Sequence, residues 1–422
     1  MKIAVIGSGG REHAVIKKLK ENKNVEIIYA LPGNGGIAKD AVCVPVKADE
    51  TDKIVKFAVE NDIDYVVVTP DNPLVDGCVN ALEDAGIKCF GPRAEAAIIE
   101  GSKAFSKDLM KKYGIPTAKF EIFDNADEAL SYVKTAPLPT VIKADGLALG
   151  KGVVIAETRE QAEEAVVSAM KNKTFGKSGE RIVIEEFLTG PEVSVLAFTD
   201  GKTVKPMVSS MDHKRVYDGD KGLNTGGMGT VAPNPYYTKD VADRCMKEIF
   251  LPTVNAMNAE GRTFKGCLYF GLMITADGPK VIEYNCRFGD PETQVVLPLL
   301  KTDLLTAMLA TTDGTLSETD MEFTDGSACC VIMASDGYPV KYEKGFEISV
   351  PSDIEPKVYY AGAAIKDGKL VTNGGRVLGV TEVRDTLKEA IDAAYEDVKK
   401  IKFENAYYRR DIGKRALKSE EQ

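Results

Sequence analysis

Histidine is nearly absent from this sequence, which contains only His13 and His213 among 422 residues. A zinc site built from several histidines is therefore excluded, and a Ser-His-Asp hydrolase has little material to work with. The eight cysteines are scattered without a Cys-x-x-Cys pair, and most of them stand in apolar stretches. This pattern predicts reduced core cysteines in a cytoplasmic protein, not a disulfide framework.

Long apolar runs and blocks of like charge are also missing. No run approaches the ~20 residues that a helix needs to span a bilayer, and the first seven residues are too few for a signal-peptide core. The formal net charge is −10, with both signs interspersed. This charge predicts no binding to membranes or nucleic acid, although small phosphate ligands stay open. We also expect a monomer.

The length exceeds what one hydrophobic core supports, so several domains are expected. Strands and helices alternate through residues 1–101, which predicts an open parallel α/β domain with right-handed crossovers. A smaller unit at about 115–190 and the long, hairpin-like strands that follow it predict a second, mixed domain over 102–325. The remaining residues, 326–422, are β-rich at first and then helical near 383–402.

Within these domains the pattern predicts unbroken helices at 73–85 and 94–112. The glycine-rich stretch 212–235 has almost no apolar pattern. A stretch of this length inside a compact domain is usually functional or disordered.

The first glycine-rich turn, Gly7–Glu12, follows a strand and opens a helix, as a dinucleotide fingerprint would. A glutamate occupies the place of the third glycine, and the second strand ends at Tyr29–Pro32 without the acidic residue that would hold a ribose. A nicotinamide cofactor is therefore disfavoured. The turn either binds a phosphate through the free N–H groups of Gly9 and Gly10, with Arg11 in support, or is a tight turn alone.

The second glycine-rich loop, Asp145–Gly152, resembles a P-loop without meeting its requirements. It has three residues instead of four before Gly-Lys, it lacks the final Ser or Thr, and it leads into a strand. Two β-branched strands flank it, which predicts a hairpin tip whose backbone N–H groups can fold over a triphosphate, including those of Gly150 and Gly152. A purely structural turn is the alternative.

Two lysines occupy positions in which phosphate oxygens could serve as their anionic partners. Lys143 lies inside an apolar strand and Lys103 at the start of a helix, so each ammonium needs an anionic partner or must reach solvent along its stem. The strand ending in Glu185–Leu188 can offer backbone groups to an adenine edge. Just beyond it, Glu192 can hold ribose hydroxyls.

Glu283, Asn285 and Arg287 recur at every second residue of a predicted strand, so we expect them on one face. Carboxylate and amide oxygens are hard ligands for a magnesium ion that bridges ATP phosphates. The arginine would neutralise charge that develops on a transferred phosphoryl group. The solvated face of an amphipathic strand is the alternative.

The order of helix lysine, strand lysine, glycine-rich hairpin, Glu-Glu-Phe-Leu and Glu-x-Asn-x-Arg resembles the ATP-grasp ligases. Over essentially its full length the chain resembles, more closely, the phosphoribosylamine–glycine ligase family. The motifs that carry this resemblance are Gly7–His13, Pro32–Asn34, Glu100–Lys103, Lys143–Gly146, Asp212–Arg215, Asn224–Gly229 and Arg409–Gly413. The most specific is the eight-residue string Arg287–Gln294.

The resemblance implies an ATP-grasp fold with an open parallel α/β N-terminal domain, a small mobile ATP lid and a β-rich C-terminal domain. It implies that ATP activates glycine as glycyl phosphate, which 5-phosphoribosylamine attacks. The products are glycinamide ribonucleotide, ADP and phosphate, in the second step of purine biosynthesis.

The same resemblance distributes the candidate residues among ligands. To ATP it assigns Lys103, Lys143, Glu185, Glu186, Leu188 and Glu192, and the glycine-rich hairpin tip adds Gly150 and Gly152. To Mg²⁺ or Mn²⁺ it assigns Glu283 and Asn285, and Arg287 is the catalytic candidate. The substrate-binding candidates are Gly9, Gly10, Arg11, Asp212, Lys214, Asp290 and Glu292.

Three points stay open. Many ATP-grasp ligases carry a further acidic metal ligand on the preceding strand, but here that strand reads Tyr269–Met273, which puts a second metal site in doubt. Arg409 and Arg410 rival the Gly9–Arg11 turn as the site of the sugar phosphate. The alternative functions are another ATP-grasp ligase or carboxylase of purine metabolism, a nucleotide-regulated binding protein without turnover, and a dehydrogenase.

Overall fold

The computed structural model describes residues 1–147 and 152–420. The N-terminal strands are β1 (Lys2–Gly7), β2 (Ile27–Pro32), β3 (Val42–Cys43), β4 (Tyr65–Val68) and β5 (Cys89–Phe90). They form one parallel sheet in the order β3-β2-β1-β4-β5. The helices between and after them are α1 (Gly10–Leu19), α2 (Thr51–Glu60), α3 (Asp71–Val75), α4 (Cys78–Asp84) and α5 (Ala94–Gly101). Runs of buried Ile, Val and Ala in β1 and β4 suit strands covered on both faces.

Two helices that the pattern predicts as continuous are each divided, so both predictions are wrong in that respect. Gly77 lies in the left-handed region between α3 and α4. Ser102 is extended and separates α5 from α6 (Lys103–Tyr113), which it caps by accepting the Phe105 N–H at 3.0 Å. A serine in this position satisfies an N–H that the first turn of a helix leaves free.

Residues 120–186 form a small unit with its own sheet and core. Its elements are β6 (Phe120–Phe123), α7 (Ala126–Val133), β7 (Thr140–Ala144), β8 (Val153–Ala156), α8 (Arg159–Val166) and β9 (Ile182–Glu186). The strands pair antiparallel in the order β6-β9-β7-β8. The second glycine-rich loop joins β7 to β8, and its Gly150 lies outside the described residues.

The middle of the chain contributes strands to three further sheets. Its elements are β10 (Glu192–Thr199), β11 (Val204–Pro206), β12 (Met211–Asp212), β13 (Arg215–Tyr217), β14 (Lys221–Asn224), β15 (Gly229–Ala232), α9 (Lys239–Cys245), α10 (Leu251–Ala259), β16 (Gly266–Thr275), β17 (Gly278–Asn285), α11 (Thr293–Leu299) and α12 (Leu304–Asp313). An antiparallel sheet has the order β11-β10-β16-β17. The glycine-rich stretch 212–235 is ordered, since it contains the β13–β14 hairpin and the buried strand β15.

The C-terminal elements are β18 (Ser327–Ser335), β19 (Val358–Tyr360), β20 (Ala363–Lys366), β21 (Lys369–Thr372), β22 (Arg376–Arg384), α13 (Leu387–Val398), β23 (Ala406–Tyr407) and α14 (Lys414–Glu420). A six-stranded sheet runs β12-β15-β18-β22-β19, with β23 also paired to β18. Two of its strands thus come from residues 211–232, and the boundary at residue 325 stays a prediction. The helix predicted near 383–402 is shorter than predicted because β22 continues to Arg384 and Thr386 caps α13.

No helix within 1–147 and 152–420 has the length and apolar character needed to cross a membrane.

Candidate active site

Glu283 on β17 is the acidic centre of the candidate site. It lies opposite Gly271 of β16, and the Nζ atom of Lys214 is 3.4 Å from its Oε1 atom. Attraction to Lys214, opposed by burial and assisted by Lys143 and Lys103, lowers the pKa of Glu283 to about 2. The carboxylate is therefore anionic at neutral pH.

The three lysines around Glu283 come from separate parts of the fold. Lys103 begins α6 and donates to the Gly146 carbonyl at 2.7 Å, and burial lowers its pKa. Lys143 lies on β7 in the antiparallel sheet of the small unit 120–186. Burial opposes the charge of Lys214, yet Glu283 raises its pKa well above the usual range. Several ammonium groups facing one half-buried carboxylate form a field that attracts a polyanion.

Glu283 and Asn285 fit a metal that takes most of its ligands from phosphate and water. Among the residues that the structure describes, no group of three or more His, Cys, Asp or Glu side chains could hold a metal ion. One carboxylate and one amide oxygen, two residues apart on β17, are hard donors of the kind that Mg²⁺ accepts. On β16, a Cβ atom at Gly271 would lie 3.0 Å from Cγ of Glu283, so a larger side chain there would press on the ligand.

Arg287 is held by the N-terminal domain. Strand β17 ends at Asn285, so the predicted alternation along one strand face does not extend to Arg287, and that part of the prediction is wrong. Its Nη2 atom lies 3.0 Å from Oε1 of Glu100 and 3.9 Å from Oδ2 of Asp71. Burial opposes the guanidinium charge, but Glu100 and then Asp71 raise the pKa of Arg287.

Glu100 is a site residue that motif analysis left without a role. Its Oε2 atom accepts the Cys286 N–H at 2.7 Å, while Oε1 faces Arg287. Burial raises the pKa of Glu100, and Arg287 counteracts that effect. The available signal was an acid beside Lys103 in the Glu100–Lys103 motif.

Glu185, a candidate for ATP, is enclosed between two lysines. Its Oε1 atom lies 2.9 Å from Nζ of Lys143, and its Oε2 atom lies 3.0 Å from Nζ of Lys107. All three side chains are buried. The structure thus gives the end of β9 an internal ion-pair chain.

The remaining ATP candidates lie on β9, just after it and at the start of β10. Glu186 accepts the Lys119 N–H at 2.9 Å, and Leu188 is half-buried in the linker after β9. Glu192 begins β10, with its Oε2 atom 3.6 Å from Nζ of Lys214. Glu192 and Glu283 therefore share one lysine.

Asp212 and Glu292 form a second acidic group. Oε1 of Glu292 accepts the hydroxyl of Tyr269 at 3.2 Å and that of Ser194 at 3.3 Å. Burial, followed by the charge of Glu292, raises the pKa of Asp212 well above its usual range. Lys214 lowers that pKa and also contacts Glu283. The fold thereby brings three predicted substrate residues together beside the predicted metal ligand.

A cavity of about 720 Å³ lies between the first glycine-rich turn and the C-terminal domain. Its lining includes Ser8, Gly9, Pro32–Gly35, Ala38, Cys43, Asp290, Tyr338, Ala361–Ile365, Asn373 and Arg376. Nη2 of Arg376 donates to Oδ2 of Asp290 at 3.0 Å, and Nη1 donates to the Gly226 carbonyl at 2.7 Å. Arg376 was missed, although a lone arginine after Asn373-Gly-Gly was an available signal.

Of the three residues predicted at the first glycine-rich turn, Gly9 alone lines this cavity. The Gly9 N–H donates to the carboxylate of Glu12. A Cβ atom at Gly10 would lie 2.7 Å from Nε2 of Gln294, so a larger residue there would displace the end of that side chain. Nε of Arg11 donates to Glu12 at 2.6 Å. A carboxylate therefore already occupies the predicted anion position at Gly9.

Arg409, the rival phosphate candidate, is buried and already engaged by two carboxylates. Its Nε atom donates to Asp411 at 2.8 Å, and Nη1 donates to Asp220 at 3.0 Å. These contacts tie the β13–β14 hairpin to the C-terminal segment. The neighbouring Arg410 is exposed.

Sequence profiles of one family match three successive segments of the chain. The phosphoribosylglycinamide synthetase N domain matches residues 1–100, its ATP-grasp (A) domain matches 101–293, and its C domain matches 328–415. The chain belongs to the phosphoribosylglycinamide synthetase family. Membership makes it an ATP-dependent ligase and confirms both the predicted family and the predicted fold class.

Relatives of this phosphoribosylglycinamide synthetase family member match it from end to end. A phosphoribosylamine–glycine ligase from Clostridium acetobutylicum is 51% identical over 414 residues, 98% of this chain and 100% of the relative. One from Caldanaerobacter subterraneus is 50% identical over 413 residues, 98% and 99% of the two chains. The crystal structure of the Thermotoga maritima phosphoribosylamine–glycine ligase has a TM-score of 0.87 at 36% identity, covering 98% of this chain and 100% of the other.

A biotin carboxylase–β,γ-ATP complex from Campylobacter jejuni shares the fold alone. Its TM-score is 0.73 at 14% identity, with 96% of this chain and 92% of the other covered.

Proposed function

We propose that this chain joins glycine to 5-phosphoribosylamine while ATP is cleaved to ADP and phosphate, and that glycinamide ribonucleotide is the product. Family membership supports this reaction. The observation that carries it is the gathering of Lys103, Lys143 and Lys214 around Glu283. A polyanion, a carboxylate substrate and an amine substrate each find complementary charge there.

The triphosphate of ATP is assigned to Lys103 and Lys143. Lys143 donates one N–H to the Ile282 carbonyl, and its Nζ atom lies 2.9 Å from Oε1 of Glu185 in an ion pair, so a third N–H remains for phosphate. Glu283 and Asn285 would hold Mg²⁺ or Mn²⁺, which supplies charge neutralisation between phosphate oxygens when bound. Gly152, Glu186, Leu188 and Glu192 stay assigned to the nucleotide as predictions.

Glycine is assigned to the acidic group beyond the metal ligands. Its ammonium fits Asp212 and Glu292. These two carboxyl groups are half-buried and buried, they repel each other, and a cation between them would relieve that repulsion. One oxygen of the glycine carboxylate attacks the γ-phosphorus atom, and the bond to ADP breaks. The product is glycyl phosphate, and Arg287 neutralises the charge that develops in transfer.

The phosphoribosyl group is assigned to the 720 Å³ cavity between the domains. Its amine attacks the carbonyl carbon of glycyl phosphate, phosphate leaves, and the nitrogen loses a proton. Arg376 is the cation that lines this cavity, and Asp290 orients it. We favour Arg376 over Arg11 for the sugar phosphate because Arg376 lines this cavity and Arg11 does not.

We also propose that the enzyme works as a monomer in the cytoplasm, with domains at 1–101, 102–325 and 326–422 and a mobile lid at about 115–190. All eight cysteines are free, which suits a reducing compartment. The separate core of the lid sheet suits independent motion.

The decisive experiment measures ADP release with ATP, glycine and freshly prepared phosphoribosylamine, each omitted in turn. We expect release to require both substrates for sustained turnover. Bicarbonate and formate replace glycine in parallel reactions. Release that depends on bicarbonate or formate, but not on glycine, would assign the chain to another ATP-grasp reaction.

A further inference from the structure

Lys107 is an enclosed lysine one helical turn after Lys103 on α6. Its side chain is 3% exposed. The Nζ atom lies 3.0 Å from Oε2 of Glu185 and donates to Oγ1 of Thr117 at 2.7 Å, and it stands 5.6 Å from the centre of the Phe120 ring. Protein groups surround the ammonium on these sides, so Lys107 is not itself placed to contact a nucleotide.

The contacts of Lys107 connect it to a candidate phosphate ligand. Glu185 bridges Lys107 and Lys143, at 3.0 Å and 2.9 Å. Lys143 donates to the Ile282 carbonyl at 3.0 Å, and Thr117 donates to the Val281 carbonyl at 2.7 Å. Both branches therefore end on β17, the strand that carries the predicted metal ligands.

Packing alone does not account for a charged group at this position. Burial lowers the pKa of Lys107 to about 8 and outweighs Glu185, which raises it. An ammonium that is harder to protonate in the folded state costs folding free energy at neutral pH. Glu185 already has Lys143 as a partner, and an apolar side chain of similar volume would fill the same space.

We propose that Lys107 is a positioning residue for ATP, which holds Glu185 so that the free N–H of Lys143 faces the phosphates. This inference rests on the assignment of ATP to Lys103 and Lys143. Without Lys107, Oε2 of Glu185 loses its charged donor. The Lys143 ammonium then moves to contact both carboxylate oxygens of Glu185 and leaves the Ile282 carbonyl. This movement turns the third N–H of Lys143 away from the phosphates.

Lys107→Met tests the role because it removes the charge and keeps the length and apolar stem of the side chain. We expect the KM for ATP to rise about tenfold, as loss of one charged hydrogen bond predicts. The kcat and the KM for glycine should stay within about twofold, and the Tm should fall by no more than about 3 °C. Lys107→Arg retains the charge and should return the KM for ATP to within about threefold of the wild type.

Lys112→Met is the matched control. Lys112 lies on the same helix, but it is exposed and pairs at the surface with Glu260. We expect its KM for ATP to equal that of the wild type. An equal rise in Lys112→Met and Lys107→Met would overturn the inference, because it would reflect helix stability.

Three further results would contradict the proposal. One is an unchanged KM for ATP in Lys107→Met, and another is a parallel rise of both KM values with a large loss of Tm. If Lys107→Met does not fold, Thr117→Val removes the neutral partner of Lys107 together with the hydrogen bond from Thr117 to the Val281 carbonyl, and it should raise the KM for ATP about threefold; no change overturns the inference. Glycine-dependent ADP release by the wild type is measured alongside, and its absence would count against the proposed function itself.

Discussion

Replacing Glu283 with Gln removes one negative charge from the candidate site and nearly preserves side-chain volume. The pKa of Glu283 is lowered from 4.5 to about 2, which corresponds to about 3 kcal/mol of net attraction to the surrounding lysines. The side chain is 32% exposed, so solvent screening reduces this contribution to about 1–2 kcal/mol. We expect the Tm of Glu283→Gln to fall by a few degrees at pH 7.

The pH dependence of this loss has a definite direction. The folded-state pKa lies below the unfolded value, so the stabilisation is fully present above about pH 4.5 and disappears as the pH falls toward 2. The Tm difference between the wild type and Glu283→Gln should therefore shrink over that range. Glu248→Gln is the control, because Glu248 is similarly exposed at 34% but pairs with Arg244 at the surface.

Turnover should respond far more strongly than stability. ADP release by Glu283→Gln should fall at least about 100-fold, because a charged metal ligand is lost where phosphate charge must be neutralised. ATP binding without divalent metal, measured by calorimetry, should be unchanged or tighter because the lysines lose an anionic competitor. Near-normal turnover of Glu283→Gln at low Mg²⁺ would refute the assignment of Glu283 as a metal ligand.

Four other outcomes follow from the same geometry. Glu100→Gln should lower kcat about tenfold or more with little change in the KM for ATP, because Arg287 loses the carboxylate that holds it in place; a fall in kcat with an equal rise in KM would indicate a folding defect. Arg376→Ala should weaken phosphoribosylamine binding by ~1.5–3 kcal/mol while Arg11→Ala has little effect, and the reverse result would return the phosphate to the first turn. Hydrogen exchange across 140–156 should slow when a non-hydrolysable ATP analogue binds, and unchanged exchange would argue against a closing lid. Glycine labelled with ¹⁸O in its carboxylate should place one labelled oxygen in each phosphate released, whereas label in AMP would indicate an adenylate route.

Local sequence pattern was enough for much of the architecture. Buried β-branched runs such as β1 and β4 alternate with helices, and this short-range signal predicted the parallel sheet. The break between α5 and α6 also had a local signal, because serine is a common helix N-cap and Ser102 caps α6. The Ala- and Lys-rich sequence on both sides favours a helix, so the pattern predicted one continuous helix there. Helix periodicity survives across a short break, so it does not reveal where one helix ends.

The candidate site depends on contacts between distant residues, which the periodic pattern of a helix or strand does not predict. Glu283 and Asn285 share a strand, and their spacing alone predicted a metal position. Glu100 and Arg287 are 187 residues apart, and Arg376 lies 86 residues from Asp290, yet each pair is in direct contact. Periodicity states which face of an element a side chain occupies, but not which distant element that face meets. Tertiary packing therefore decided three features: the lysines around Glu283, the enclosure of Lys107 and the two strands from residues 211–232 in the C-terminal sheet. Only packing brings the charged groups within a few ångströms of one another and removes the water between them.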